Sequence, residues 1–196
     1  MKTETLEGNT MTATLDAERT ELISMLAEAR AALTGAVEGL SDEQLAQQPT
    51  VSSLCLGGLV KHVAAMEKSW MRFVVEGLPA DLFALPDGVT WADVEAGVAH
   101  EVPQWAIDHA ADFRMNPGDT LAGILEHYEQ IAADTEKIVA GLTDLSVTRP
   151  LPDAPWNAPG EVRSLRWALM HIVAETFQHA GHADILREAI DGRTAT

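Results

Sequence analysis

Cysteine is almost missing from this 196-residue chain. Only Cys55 occurs, so no internal disulfide framework exists, and the usage fits a reducing, cytoplasmic setting. Basic residues are scarce as well. Thirteen Lys and Arg against thirty Asp and Glu leave a net charge of −17, which repels phosphate backbones and anionic lipid. Nucleic acid and membrane surfaces are therefore not the expected partners. No uninterrupted apolar run approaches the roughly 18 residues of a membrane span. The opening "MKTETLEGNTMTAT" lacks the apolar segment of a secretory signal. Internal repeats, low-complexity tracts and alternating strand patterns are absent too.

What remains is an ordinary globular composition, 46% apolar and 22% charged, long enough for one domain with a substantial core. Residues 1–14 are polar and patternless and read as a flexible tail, in which Met11 offers a second candidate start. From Asp16 to about Leu40 the apolar residues Leu22, Ile23, Met25, Leu26, Ala29, Leu33 and Val37 recur at helical spacing. "SDEQL" (41–45) carries a capping box, with Ser41 at the N-cap and Gln44 three residues on, and Pro49 closes the short helix it starts. A second long helix spans Leu54 to Glu76 and stops at Gly77. Residues 78–118 hold four prolines and read as a long connection with helical turns near 91–98 and 104–110; such a length suits a cover over a cleft. A third long helix begins near Asp119 or Thr120 and ends at Gly141. "RPLPDAPWNAPGEVR" (149–163) reads as a proline-rich loop, after which Ser164 caps a fourth long helix running to about Ile190. The expected fold is all-α, a four-helix bundle over 15–192 with a short tail at 193–196.

The fourth helix poses a chemical problem. In "HIVAETFQHAGHADIL" (171–186), Glu175 and His179 fall on the same stripe as Leu165, Ala168, Ile172, Leu186 and Ile190. Four residues apart, they lie one turn apart on one face. On the second helix Cys55, Leu59, His62, Met66, Trp70 and Phe73 form the matching stripe, and neither stripe carries a Lys or Arg. A buried carboxylate without a partner costs several kcal/mol in its charged form. It must take up a proton, find a cation or bind a metal. A divalent ion held by His62, Glu175 and His179 resolves the cost. Three protein ligands with an open position mark a catalytic rather than a structural site.

"LGGLVKHVAAMEKSW" (56–70) and "HIVAETFQHAGHADILREAIDG" (171–192) together resemble the DinB-like superfamily. That superfamily includes the metal-binding domain of mycothiol-dependent maleylpyruvate isomerase and the bacillithiol and mycothiol S-transferases. The resemblance covers essentially the whole chain after the tail. It implies a four-helix bundle with a metal held by one His of the second helix and two residues four apart on the fourth. Here these are His62, Glu175 and His179, and the Glu variant looks like the mycothiol branch. Zinc is the first expectation from the ligand types, although nickel, iron and manganese tolerate the same donors.

The implied activity is transfer of a low-molecular-weight thiol such as mycothiol, or an isomerisation using it, on a small electrophile. Metal coordination would deprotonate a thiol whose free pKa is about 8.5. Activation of water instead would make a hydrolase. A third reading is a non-catalytic metal- or small-molecule-binding protein, its site closed by a further ligand such as His171 or His182. Those two residues are otherwise expected as supports of the ligands or contacts to substrate. His127 reads as a boundary residue, His100 and His109 as surface, and Cys55, Trp70 and Trp167 as packing. Trp91, Trp105 and Trp156 are candidates for a cleft wall; Arg72 and Arg166 are candidates for steering an acidic thiol. A homodimer through a bundle face is open by analogy.

Overall fold

The computed structural model describes residues 5–194, with side chains from Ala17 onward. The four long helices among these are α1 (Thr5–Gly35), α3 (Leu56–Glu76), α6 (Leu121–Gly141) and α7 (Leu165–Asp191). Short helices α2 (Asp42–Leu45), α4 (Trp91–Glu95) and α5 (Gln104–Asp112) lie in the connections. The chain is all-α apart from one small ribbon. Each helix boundary has a local cause. Ser41 and Gln44 form the reciprocal capping box of α2. The Thr120 and Ser164 side chains accept hydrogen bonds from the backbone N–H of Gly123 and Trp167, starting α6 and α7. Gly192 ends α7 at φ 76°, a left-handed conformation that costs glycine little.

Two expectations are corrected here. Helix α1 begins at Thr5, whereas apolar spacing placed its start near Asp16; the intervening stretch has no proline to stop a helix and no apolar stripe to signal one. Segment 149–163 is not simply a loop. Strands β1 (Thr148–Pro150) and β2 (Val162–Ser164) pair antiparallel, with Arg149 opposite Arg163. Three-residue strands edged by prolines carry no readable alternation.

Around the bundle the helices follow the order α1, α7, α3, α6, so α3 contacts both α6 and α7. Ring contacts fix the relation of α3 to α7. His62 meets His179, while Trp70, two turns further along α3, meets His171 and Trp167. The two helices therefore run antiparallel.

The core is divided. One apolar cluster gathers Leu33, Val37, Leu56, Leu59, Val63, Ile124 and Leu186; the other gathers Leu26, Phe73, Val74, Leu165, Leu169 and Ile172. A polar layer lies at the level between them. Glu67 is fully buried and accepts hydrogen bonds from Arg30 Nη2 (2.6 Å), Arg30 Nε (3.1 Å) and Thr135 Oγ1 (2.6 Å). The carboxylate sealed in the core is thus Glu67, and it is satisfied by a bidentate guanidinium and a hydroxyl.

Candidate functional site

Glu175 sits at an edge, not in the core. The inward positions of α7 run through Ile172, Thr176, Ala180 and Ala183, and Thr176 in that turn is only 1% exposed. The expectation of a buried Glu175 stripe is corrected accordingly: its side chain is 31% exposed. Helix α7 does carry a buried cation, outside the stripe read from the sequence. Arg187 is buried, and its Nη1 donates to the carbonyls of Ala36 and Glu38 at 2.9 Å.

Beside the inward positions, His171, Glu175, His179 and His182 form one ridge along α7, at successive intervals of four, four and three residues. Glu175 lies between two imidazoles. Its Oε1 is 3.9 Å from His171 Nε2 and its Oε2 is 3.8 Å from His179 Nε2. His182 Nδ1 approaches His179 Nδ1 at 3.4 Å, which leaves the Nε2 side of His179 turned toward Glu175. Trp167 stacks on His171 with centroids 4.8 Å apart and fixes the upper end of the ridge.

The facing ridge of α3 carries His62. Its ring centroid is 4.9 Å from that of His179, edge to face. His62 is 9% exposed, and burial depresses it to about 4, with His179 and His109 adding to the effect. Burial also lowers His171 and His179, opposed in each case by Glu175. At neutral pH these rings are uncharged, so each offers a lone pair.

The 78–118 connection folds back as a cap. Phe113 stacks on His62 with centroids 3.9 Å apart, and His109 meets the same ring edge-on at 5.3 Å. This approach requires Gly58, where the obstacle is backbone; at Gly57 it is the flexible end of Met115. A Cβ at Gly58 would lie 2.1 Å from the Phe113 carbonyl oxygen, and one at Gly57 would lie 2.2 Å from Met115 Sδ. Lys61 ties the cap down further, donating to the Arg114 carbonyl at 2.8 Å and pairing with Asp119 at 2.5 Å.

Between α3 and the cap is a cleft of about 440 Å³ that reaches His62. Met66, Trp70, Leu82, Phe83, Trp105 and Trp156 form its apolar walls. Phe83 touches Trp105 and Trp156, and Trp91 touches the same two indoles, so the expected aromatic wall packs as one cluster. The 149–163 segment joins this wall through Trp156 and through the Asp153 N–H, which donates to the Ala80 carbonyl at 2.9 Å. Polar residues in the lining are Ser69, Asp108, His109 and Asp112, of which only Asp112 is half-buried. Burial raises the Asp112 carboxyl, against the pull of His109 and Lys61.

His109 is the functional candidate that sequence reasoning missed: exposed, as expected, yet a lining residue of the cleft in contact with His62. Nothing local signals this, because the contact arises only when the cap closes on α3. Arg72 and Arg166 stay away from the cleft lining and pair with Glu76 and Glu18. His127 and His100 are exposed, the former lining a neighbouring cavity with Lys61 and Asp112. Cys55 is buried, its thiol 3.7 Å from the Phe113 carbonyl.

The donor set suits a borderline divalent ion in kind, two neutral imidazoles and a carboxylate. Among the described residues no group of three His, Cys, Asp or Glu side chains is drawn close enough to hold an ion as it stands. Donors on a tetrahedral ion at about 2.0–2.1 Å are about 3.3 Å apart. The 3.8 Å between His179 Nε2 and Glu175 Oε2 is near that value.

Comparisons with known proteins agree with this architecture. No curated protein matches the chain. Among solved structures, the crystal structure described as the conserved protein of locus from Enterococcus faecalis aligns with a TM-score of 0.59 at 16% identity, covering 89% of this chain and 97% of its own. At that identity the likeness speaks for the fold alone. A family model described as mycothiol-S-transferase matches residues 21–192, a span that includes His62, the cap and the whole α7 ridge. The chain belongs to the mycothiol-S-transferase family, within the DinB-like group.

Proposed function

We propose that the protein is a metal-dependent thiol S-transferase. It would join a mycothiol-type thiol to a small electrophile bound in the cleft under the cap. His62, Glu175 and His179 would hold a divalent ion, zinc by preference of the donors, with an open position toward the cleft. The chemistry such an ion supplies is acidification of a coordinated thiol.

The remaining roles belong to the chain. His182 and His171, next to His179 and Glu175, keep the two α7 donors turned toward α3. Phe113 covers one face of His62 and excludes water there. His109, at the cleft surface and in contact with His62, would relay the S–H proton to solvent. The sulfur electron pair then forms the S–C bond. With a conjugated acceptor the proton returns to the α-carbon; with a substituted carbon the leaving group departs with its electron pair.

The observation that carries this reading is the His62–His179 approach of 4.9 Å at the head of an apolar cleft, in a chain of this family. Metal analysis followed by thiol titration tests it. The loaded protein should bind mycothiol with release of one proton and couple it to an electrophile, and His62→Ala should lose both. Retention of metal by a His62→Ala/His179→Ala double variant overturns the ligand assignment.

A further inference from the structure

Helix α7 turns toward solvent a face with the chemistry of an interior. Met170, Ala174, Phe177, Gly181 and Ile185 recur at intervals of four, three, four and four, so they form one stripe about 22 Å long. All five are exposed, Met170 and Ile185 by more than half, at 58% and 61%. Trp167 and Gln178, exposed as well, flank the stripe. It lies across the helix from the inward line of Ile172, Thr176 and Ala183, and none of the five lines the cleft. None of the seven carries charge, in a chain with 13 basic and 30 acidic residues. Proteins that stay monomeric seldom leave such a patch in water. The seven together expose on the order of 500 Å², so two copies meeting here would bury on the order of 1,000 Å², where specific interfaces begin.

We propose that this face joins two copies of the chain as an antiparallel α7 pair. The stripe is self-complementary about a point between Phe177 and Gln178. A second α7 laid antiparallel across that point sets Met170 against the partner's Ile185, Ala174 against the partner's Gly181 and Phe177 against the partner's Gln178. The small residues Ala174 and Gly181, one turn to either side of Phe177, leave room for the partner's Phe177. Charge follows the same symmetry. Arg166, which also holds Glu18, stands before the stripe and the exposed Glu188 stands after it, so the two-fold brings each Arg166 beside the partner's Glu188. Opposed helix dipoles add to the match. Two copies of net charge −17 can meet here without placing like charges in contact. The pairing is independent of what the cleft binds.

Sedimentation of the full chain tests the proposal. The unaltered protein should be a dimer at about 10 µM. Gly181→Glu should weaken the dimer at least about 100-fold, because it sets a charge into the apolar seam. A Cβ at Gly181 meets nothing within 4 Å in its own copy, so the fold should be undisturbed. Phe177→Glu, which brings two carboxylates close to the axis, should act likewise, and circular dichroism should show unchanged helix in both. Mild oxidation should link two copies of an Ala174→Cys/Gly181→Cys double variant. Neither single variant should link, because the two copies of position 174 lie about 10 Å apart along the axis, beyond disulfide reach. A monomer at about 100 µM overturns the proposal, including one that binds phosphatidylcholine vesicles instead. A dimer that both glutamate variants leave intact overturns it too, as does a single-cysteine variant that links as well as the double.

Discussion

His62 and Phe113 lie face to face, their ring centroids 3.9 Å apart and their planes 23° from parallel. One residue belongs to the bundle and the other to the cap, so this stack joins the two parts of the molecule at the site. Its geometry depends on Gly58, one turn earlier on α3.

Gly58→Ala is expected to break that junction. The new methyl would fall 2.1 Å from the Phe113 carbonyl oxygen and 2.3 Å from its carbon, so backbone rather than a flexible side chain must move. The cost should be about 1–3 kcal/mol in urea unfolding. The His62 ring, uncovered, should titrate closer to its ordinary value of 6.5 by NMR. An unchanged His62 titration would mean that the stack does not shield the imidazole.

Stability of the metal-free protein should depend on pH through His62. Its folded value, about 4, lies below the ordinary 6.5, so between these limits the unfolded chain binds a proton that the folded chain refuses. The contribution is complete above pH 6.5 and is lost as pH falls toward 4; it amounts to roughly 3 kcal/mol. Urea unfolding of chelated protein at several pH values, compared with His62→Gln, isolates the effect. The variant should show the shallower decline.

Metal loading should raise the melting temperature in proportion to the logarithm of free metal once the site saturates. His179→Ala should abolish the shift. His182→Ala should preserve uptake but weaken it by about 10–100-fold, because His182 supports His179 without being one of the assigned ligands. Equal losses in both variants would make His182 a ligand in its own right.

Glu67→Ala should destabilise the fold by about 3–5 kcal/mol, since it leaves the Arg30 guanidinium buried without its main partner. An Arg30→Met/Glu67→Leu double variant should recover most of the loss. Chemical denaturation of the three proteins provides the comparison.

The bundle was legible because its signals are local. Caps at Ser41, Thr120 and Ser164 and the stops at Gly77, Gly141 and Gly192 coincide with the helix ends. The buried ion pair was not legible. Helix α3 faces α6 and α7 at once, so it has two inward stripes. The sequence reading followed 55, 59, 62, 66, 70 and 73, whereas Glu67 belongs with 60, 63, 64, 71 and 74. Likewise a single apolar period along α7 could not separate Glu175, at the edge, from Thr176, in the core. His109 was beyond reach for another reason. Its proximity to His62 depends on a fold-back of the cap across some forty residues of chain.

The polar layer at mid-bundle has a bearing on alignment. Apolar surfaces tolerate one helix sliding past another, because leucines exchange for leucines. A carboxylate with three fixed donors does not. A slip of α1 by one turn, about 5.4 Å, would strip Glu67 of both guanidinium nitrogens at once. The layer thus acts as an axial pin between α1, α3 and α6, and the level at which α3 carries its imidazole is set little more than a turn away, by a buried charge pair.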